Sequence, residues 1–453
     1  GVWAPAGTPG AGTKEPGAGT KGPPAGGGGG PTPPPPPPRP RRASSRAPIS
    51  RPSPRTAHNK GTTMMRPRLI TLICGLAACP LRPAAAQWTV TYLHPTGATS
   101  SAAVGVWDGQ QVGTAWLSPN GAGLWSNTAA SFVNLDPDAY SGAQAVWAGQ
   151  QVGFSVIGGV EHASLWRGTP ASRVDLHPAA AVDSIAFGIH EGQQVGLAHI
   201  GTADHAGLWS GTAASWVDLH PAGATVSVAY GVWGGQQVGN TYRNNVYHAS
   251  LWSGTAGSWV DLNPAGAAES MAYGIADGQQ VGYVYIGGAY HAALWHGTAA
   301  TWVDLSPPGS SASAAYGIYG EYQVGEVDGR PSLWSGAAGS WEDLSLPLVG
   351  SWGDTPARSV WSDGTAIFVA GYGYNYAASR QEALLWTRLI CYPNCDASTT
   401  APVLNINDFA CFLNRFAAGD TYADCDQSSI PPILNVLDFG CFLNRFAAGC
   451  SAP

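Results

Sequence analysis

Between residues 88 and 390 apolar and polar positions alternate with period two, and no stretch follows the 3.6-residue period of a helix. The clearest unit starts at Ala272 and reads AYGIADGQQVGYVYIGGAYHAALWHGTAATWVDLSPPG. It predicts four short strands, Ala272–Ile275, Gln280–Ile286, His291–Trp295 and Trp302–Leu305. The Asp277-Gly278 pair joining the first two favours a tight hairpin, because both residues tolerate positive φ. A Gln-Val-Gly step recurs at Gln111, Gln151, Gln194, Gln237, Gln280 and Gln323, with spacings of 40, 43, 43, 43 and 43. A Leu-Trp step recurs with its indole at Trp125, Trp166, Trp209, Trp252, Trp295, Trp334 and Trp386. Four strands in such a repeat form one propeller blade.

The ends of this region predict a closed ring. It opens on a lone strand of the fourth type, Trp88–Leu93, and closes on strands of the first three types, Ser359–Trp361, Ala366–Gly371 and Leu384–Trp386. The opening strand therefore completes the last blade and removes the free edges that an open sheet would expose. The prediction is an all-β seven-bladed β-propeller over residues 87–390, with four-stranded blades and an N-terminal strand closing the seventh. An open β-solenoid would not need complementary partial blades at its two ends.

Units of the form A-x-G-I…G-Q-x-V-G…H-A-x-L-W…D-L resemble the HAF repeat of bacterial exported proteins. The His-Ala step of that repeat is matched at His162-Ala163, His205-Ala206, His248-Ala249 and His291-Ala292, while Gly121, Arg330 and Glu382 replace the histidine in three units. The resemblance implies an extracellular propeller and carries no shared reaction. The four histidines stand at one repeat position in separate blades, which implies one local hydrogen-bonding task done four times. Asp175, Asp218, Asp261 and Asp304 on the fourth strands read as solvated edge charges, and the Gln pairs as part of the repeat's own bonding.

After residue 390 the pattern changes. Two copies of one module, CDASTTAPVLNINDFACFLNRFAAG from Cys395 and CDQSSIPPILNVLDFGCFLNRFAAG from Cys425, each run from an Asp-initiated loop into a short helix. Phe409, Phe412, Leu413 and Phe416 fall on one helical face, and Phe439, Phe442, Leu443 and Phe446 repeat it, so the two helices should pack together. Asp408 and Asp438 are predicted helix N-caps, with Gly419 and Gly449 as terminators.

Residues 391–453 thus resemble a GC-type dockerin, a small α-helical, disulfide-rich module. The resemblance implies Ca²⁺ held by Asp396, Ser398, Thr400, Asn405 and Asp408, and by Asp426, Ser428, Asn435 and Asp438. Each loop is one residue longer than the usual twelve, Thr400 and Ile430 stand where a carboxylate belongs, and Ala401 and Pro431 replace the turn glycine. It also implies docking on a cohesin-like protein or cell-surface scaffold through Asn407, Asn414 and Arg415, with Leu437, Asn444 and Arg445 in the second copy. Cys391, Cys395, Cys411, Cys425, Cys441 and Cys450 all lie here and point to disulfides. Six cysteines allow fifteen pairings. The repeat symmetry favours Cys395–Cys411 and Cys425–Cys441, with Cys391–Cys450 across the ends.

Composition and charge set the address. Residues 1–63 are Gly/Pro/Arg low complexity, read as a disordered segment upstream of the true start. Residues 64–86 read as a signal peptide, with a basic Met65–Arg68, an apolar Leu69–Cys79 too short to span a bilayer, and Ala84-Ala85-Ala86 before Gln87. Leu76-Ala77-Ala78-Cys79 also fits a lipobox; either reading exports the protein to the outside of the cell, where it is expected at the surface. Beyond residue 86 the chain has nine Arg, no Lys and 27 Asp plus Glu, a net of −18, which repels phosphate backbones and argues against nucleic acid.

Candidate chemistry in the propeller is sparse. Sixteen of the eighteen Trp beyond residue 86 follow the repeat and are expected in the core between blades, while Trp116 and Trp352 fall outside it and are candidate ligand platforms. Glu161, Glu191, Glu269, Glu321, Glu326 and Asp328 break the repeat without a spacing that selects a catalytic pair. No residue is assigned as catalytic, and G-x-S-x-G, H-E-x-x-H and phosphate-loop motifs do not occur. The expected function is a non-catalytic binding or scaffold unit for a polysaccharide or protein ligand; the alternative is an extracellular glycosidase or lyase with its site on a propeller face.

Overall fold

The computed structural model describes residues 88–118, 121–364, 366–389, 393–395, 404–420, 423–425 and 433–449. Seven four-stranded antiparallel sheets are present, and six consist of strands consecutive in sequence. In blade 5 these are Glu269–Ala276, Gln279–Ile286, Ala289–Trp295 and Val303–Asp304. Asp277 and Gly278 both take positive φ, 48° and 75°, as the hairpin requires. The seventh sheet combines Ala357–Ser362, Ala366–Asn375 and Arg380–Leu389 with the opening strand Thr89–Tyr92. Val90 pairs with Trp386 and Tyr92 with Leu384, so the two ends of the propeller sequence close the ring in register. The fourth strands are shorter than predicted, two residues in most blades, because a 3-10 turn such as Ala299–Thr301 takes the space before them.

The repeat motif follows from close packing. A register shift between Ala272 and Gly274 bulges the inner strand against its neighbour. There a Cβ on Gly282 would lie 1.8 Å from the Met271 carbonyl oxygen, so the second-strand position must be glycine. All seven Leu-Trp indoles are fully buried, as expected of inter-blade core. Trp295, for example, packs with Leu251, Leu262 and Ile275 of the blade before and its own blade. Gln280 is also fully buried; its Oε1 accepts from Gly297 N–H (2.7 Å) and its Nε2 donates to the Gly278 carbonyl (2.7 Å). In six of the seven blades a buried Gln thereby ties the first hairpin to the loop after the third strand. Neighbouring blades are stitched by serines at the start of the inner strands: Ser270 Oγ accepts from Ala249 N–H (3.0 Å), and Ser101 Oγ accepts from Ala383 N–H (3.0 Å) across the closure. Where blade 6 has Pro331, which carries no N–H, the corresponding residue of blade 7 is Thr355 rather than serine.

The C-terminal region holds two helices, α1 (Ile406–Ala418) and α2 (Val436–Ala448). Each begins earlier than the sequence suggested. Asn405 and Asn435 are the N-caps, and Asp408 and Asp438 occupy the third helical position, where each carboxylate accepts the cap residue's N–H (2.8 and 2.7 Å). These are reciprocal capping boxes, with Asn in place of the usual Ser or Thr. Phe412 and Phe442 stack at 4.1 Å in the centre of a small core. Disulfides join Cys395 to Cys411 and Cys425 to Cys441. Cys391 and Cys450 lie outside the described residues.

Candidate functional site

The inner strands surround a central channel whose two ends differ. At the end formed by the first hairpin turns, the last inner-strand residues include Trp107, Trp147, His190, Trp233 and Tyr319, with Trp361 at the matching place in blade 7. Trp107 touches the rings of all the others at centroid distances of 5.7 to 6.4 Å. One indole that reaches five other blades lies across the axis and closes the channel. Four first-strand tryptophans expected between blades are therefore a plug in the channel, because the bulge resets which residues face the axis. His190 stacks on Trp233 at 3.9 Å, and burial lowers its pKa despite Glu191 and Asp277.

Above the plug the channel wall is made by one inner-strand position of each blade, which precedes a glycine in five blades, Ala145 in blade 2 and Ser359 in blade 7. Phe187, Tyr230, Tyr273 and Tyr316 of blades 3 to 6 follow one another at 5.3, 5.4 and 5.4 Å, forming a continuous aromatic wall. Blade 7 places Arg358 next in order, its guanidinium 4.1 Å above the Tyr316 ring. Gln144 and Val104 complete the circuit on blades 2 and 1. The space between these residues is about 180 Å³. Burial pushes the hydroxyl pKa values of Tyr230, Tyr273 and Tyr316 upward, so the wall stays neutral. Glu326 accepts from Tyr316 Oη (2.8 Å) and Glu269 from Tyr283 Oη (3.2 Å). Sequence reasoning missed this wall; its signal was the variable position after the constant alanine of the inner strand, inside an A-x-G step kept in five of the seven blades.

The other predicted residues take varied places. Each repeated histidine bonds through Nδ1 to the aspartate thirteen residues on, at 2.8 to 2.9 Å, in the pairs His162–Asp175, His205–Asp218, His248–Asp261 and His291–Asp304. The aspartates are thus not merely edge charges, and their second oxygen accepts a backbone N–H two residues on, as Asp261 does from Asn263 (2.8 Å). Where Arg330 replaces the histidine it bonds Asp343 (3.1 Å), and where Gly121 does, the aspartate becomes Asn134. Trp352 is half-buried, stacked on Tyr92 at 5.8 Å, its Nε1 donating to the Val349 carbonyl (3.0 Å). It borders a groove of about 460 Å³ with Asp328, Arg330 and Asp354. Trp116 is half-buried, its carbonyl accepting from Thr99 N–H (2.9 Å). Asp328 is engaged by the backbone of Ser311 and Ala312 (2.8 and 3.1 Å), and burial followed by Asp183 raises the pKa of Glu161. Glu191 and Glu321 sit in first-hairpin turns.

Of the nine predicted Ca²⁺ ligands, Asn405, Asp408, Asn435 and Asp438 are described; Asp396, Ser398, Thr400, Asp426 and Ser428 lie outside the described residues. Asp408 and Asp438 are fully buried carboxylates at loop–helix junctions, a donor type that suits a cation. Among the described residues no group of three or more His, Cys, Asp or Glu is placed to hold a metal ion. Of the predicted docking residues, Asn407, Asn414, Arg415, Leu437 and Asn444 are exposed and Arg445 is half-buried. Arg415 pairs with Asp420 at 3.2 Å.

Fold and channel together define a seven-bladed β-propeller with a closed hub, followed by a small disulfide-bonded helical pair. No protein-family model matches the sequence, and no curated protein does. Among solved structures, a puromycin hydrolase S511A mutant complexed with PGG is similar at 12% identity and a TM-score of 0.44, over 62% of this chain and 53% of that one. An oligogalacturonate lyase in complex with manganese is similar at 11% identity and 0.38, over 68% and 92%. TolB from Acinetobacter baumannii is similar at 11% identity and 0.33, over 55% and 64%. These likenesses are remote, and this chain spans about half the length of the puromycin hydrolase. Among the described residues no helix is long and apolar enough to cross a membrane.

Proposed function

We propose that the protein is an exported binding scaffold, in which a dockerin-like tail docks on a cohesin-like receptor and the propeller presents a ligand site. The observation that carries this reading is the paired exposure on the tail. Ile406 and Val436, equivalent residues of the two helices, are 75% and 78% exposed, and Leu413, Leu437 and Leu443 are exposed beside them. A module this small, held by disulfides, leaves its large aliphatic side chains in water at equivalent places, which fits a partner surface. Two near-identical copies would allow docking in two orientations. Ca²⁺ at the Asp408 and Asp438 junctions would order the loops that frame those faces.

The test is affinity capture from the producing cell's surface fraction with the oxidised protein, with and without EDTA, compared with Arg415→Ala, Arg445→Ala and the double variant. Equal weakening in each single variant, total loss in the double and loss in EDTA are expected. Total loss from one single variant would refute two-way docking, and capture that ignores EDTA would remove Ca²⁺ from it.

A further inference from the structure

Arg358 stands out in a domain region that carries few cations. Apart from its stacking on Tyr316, it donates no hydrogen bond and lies within 4 Å of no carboxylate among the described residues. The other arginines of blades 6 and 7, Arg330, Arg380 and Arg388, are each paired with an acid. The guanidinium is half-buried, and its donors, unused within the protein, face the channel where a ligand can take them in place of water. Arg358 lines the channel next to Tyr316 and faces Phe187 and Tyr230 of blades 3 and 4 across the ring.

We propose that the channel binds a small organic carboxylate, its anionic end taken by the Arg358 guanidinium and its body laid against the wall of Phe187, Tyr230 and Tyr316. The proposal rests on the reading that the propeller presents a ligand site. A guanidinium fork matches a carboxylate with two parallel hydrogen bonds. Phosphate would match it too, but a dianion would meet a single cation, with Glu326 near by and a net charge of −18 beyond residue 86. The channel space of about 180 Å³ suits a single sugar acid or a single aromatic acid. The ring faces of the wall suit either body. Trp107 closes the floor, so the ligand enters from the end where the inner strands begin.

Calorimetry on the oxidised full chain tests this with two acids and their neutral counterparts, glucuronate against glucose and benzoate against benzamide. At least one acid should bind ten-fold or more tighter than its neutral counterpart, and which pair shows the gap tells a sugar acid from an aromatic one. Arg358→Gln should abolish the gap, and Arg358→Lys should restore part of it. The wild-type comparison stands even where a variant fails to fold. Equal affinity within both pairs, no binding of either acid at millimolar concentration, or an unchanged gap in a folded Arg358→Gln would overturn the proposal. Arg415→Ala/Arg445→Ala should leave acid binding unchanged while docking is lost, so the two readings fail separately.

Discussion

The propeller and the tail solve the same stability problem with different means. Between residues 88 and 389 there is no cysteine, and order comes from seven fully buried indoles, buried glutamines and serine stitches repeated round the ring. The tail has a core of a few phenylalanines around the Phe412–Phe442 stack and, among the described residues, two disulfides spanning 16 residues each. Burial grows with size, so a ring of some three hundred residues can rely on its interior, whereas a helical pair cannot. The comparison teaches that, among the described residues, covalent staples appear where the apolar core is too small to dispense with them.

Trp295→Ala should show the largest effect. It empties a fully buried indole site between two blades and should cost the propeller about 3–5 kcal/mol, read by chemical denaturation, with the tail untouched. A loss under about 1 kcal/mol would mean that the blades collapse around the gap and that the buried Trp ladder is not what holds the ring. Reduction should come next and act on the other side of the comparison. Opening a loop of this length removes about 3 kcal/mol per disulfide, so reductant should melt α1 and α2 while the far-ultraviolet β signal of the propeller persists. Loss of both together would show that the propeller depends on the tail.

A smaller effect distinguishes blades within the ring. Burial lowers the pKa of His177 and His220, and His162 and His205, stacked on them at 4.0 Å, lower it further. A depressed histidine leaves the unfolded state with more bound protons once pH falls below the ordinary value of about 6.5, so stability should drop from there toward the lower folded pKa and be unaffected above it. Blade 4's neighbour supplies the control, since Asn263 makes the same bond to Ser270 (2.7 Å) that His177 makes to Ser184 (2.8 Å). His177→Asn/His220→Asn should therefore flatten the fall in melting temperature between pH 7 and 5; an undiminished fall would place the acid sensitivity elsewhere, at His94 or His190, whose pKa values are also lowered by burial.

Much of this was legible in the residues. The alternation, the Asp-Gly turns and the mismatch of the two ends predicted the blade, its count and the closing strand, because those features depend on local geometry and on an identical environment met in every repeat. The Leu-Trp indoles were legible as core for the same reason. The helix starts were misplaced by three residues because Asp at the third helical position and Asn at the cap are both good N-terminal residues, and only the backbone decides which is outside the helix.

What the sequence determined alone was therefore what the units repeat: strand order, ring closure and the recurrent Gln-Val-Gly and Leu-Trp steps, with the symmetry of the duplicated tail favouring its two internal cysteine pairs. What only the tertiary structure decided was whatever differs between units. Tyr230, Tyr273 and Tyr316 are 43 residues apart along the chain and 5.4 Å apart in the ring, beside an arginine that no local pattern connects to them. A strand's alternation tells inside from outside, but at the hub there are two insides, the blade interface and the channel. The bulge that chooses between them is set by how seven inner strands crowd round one axis.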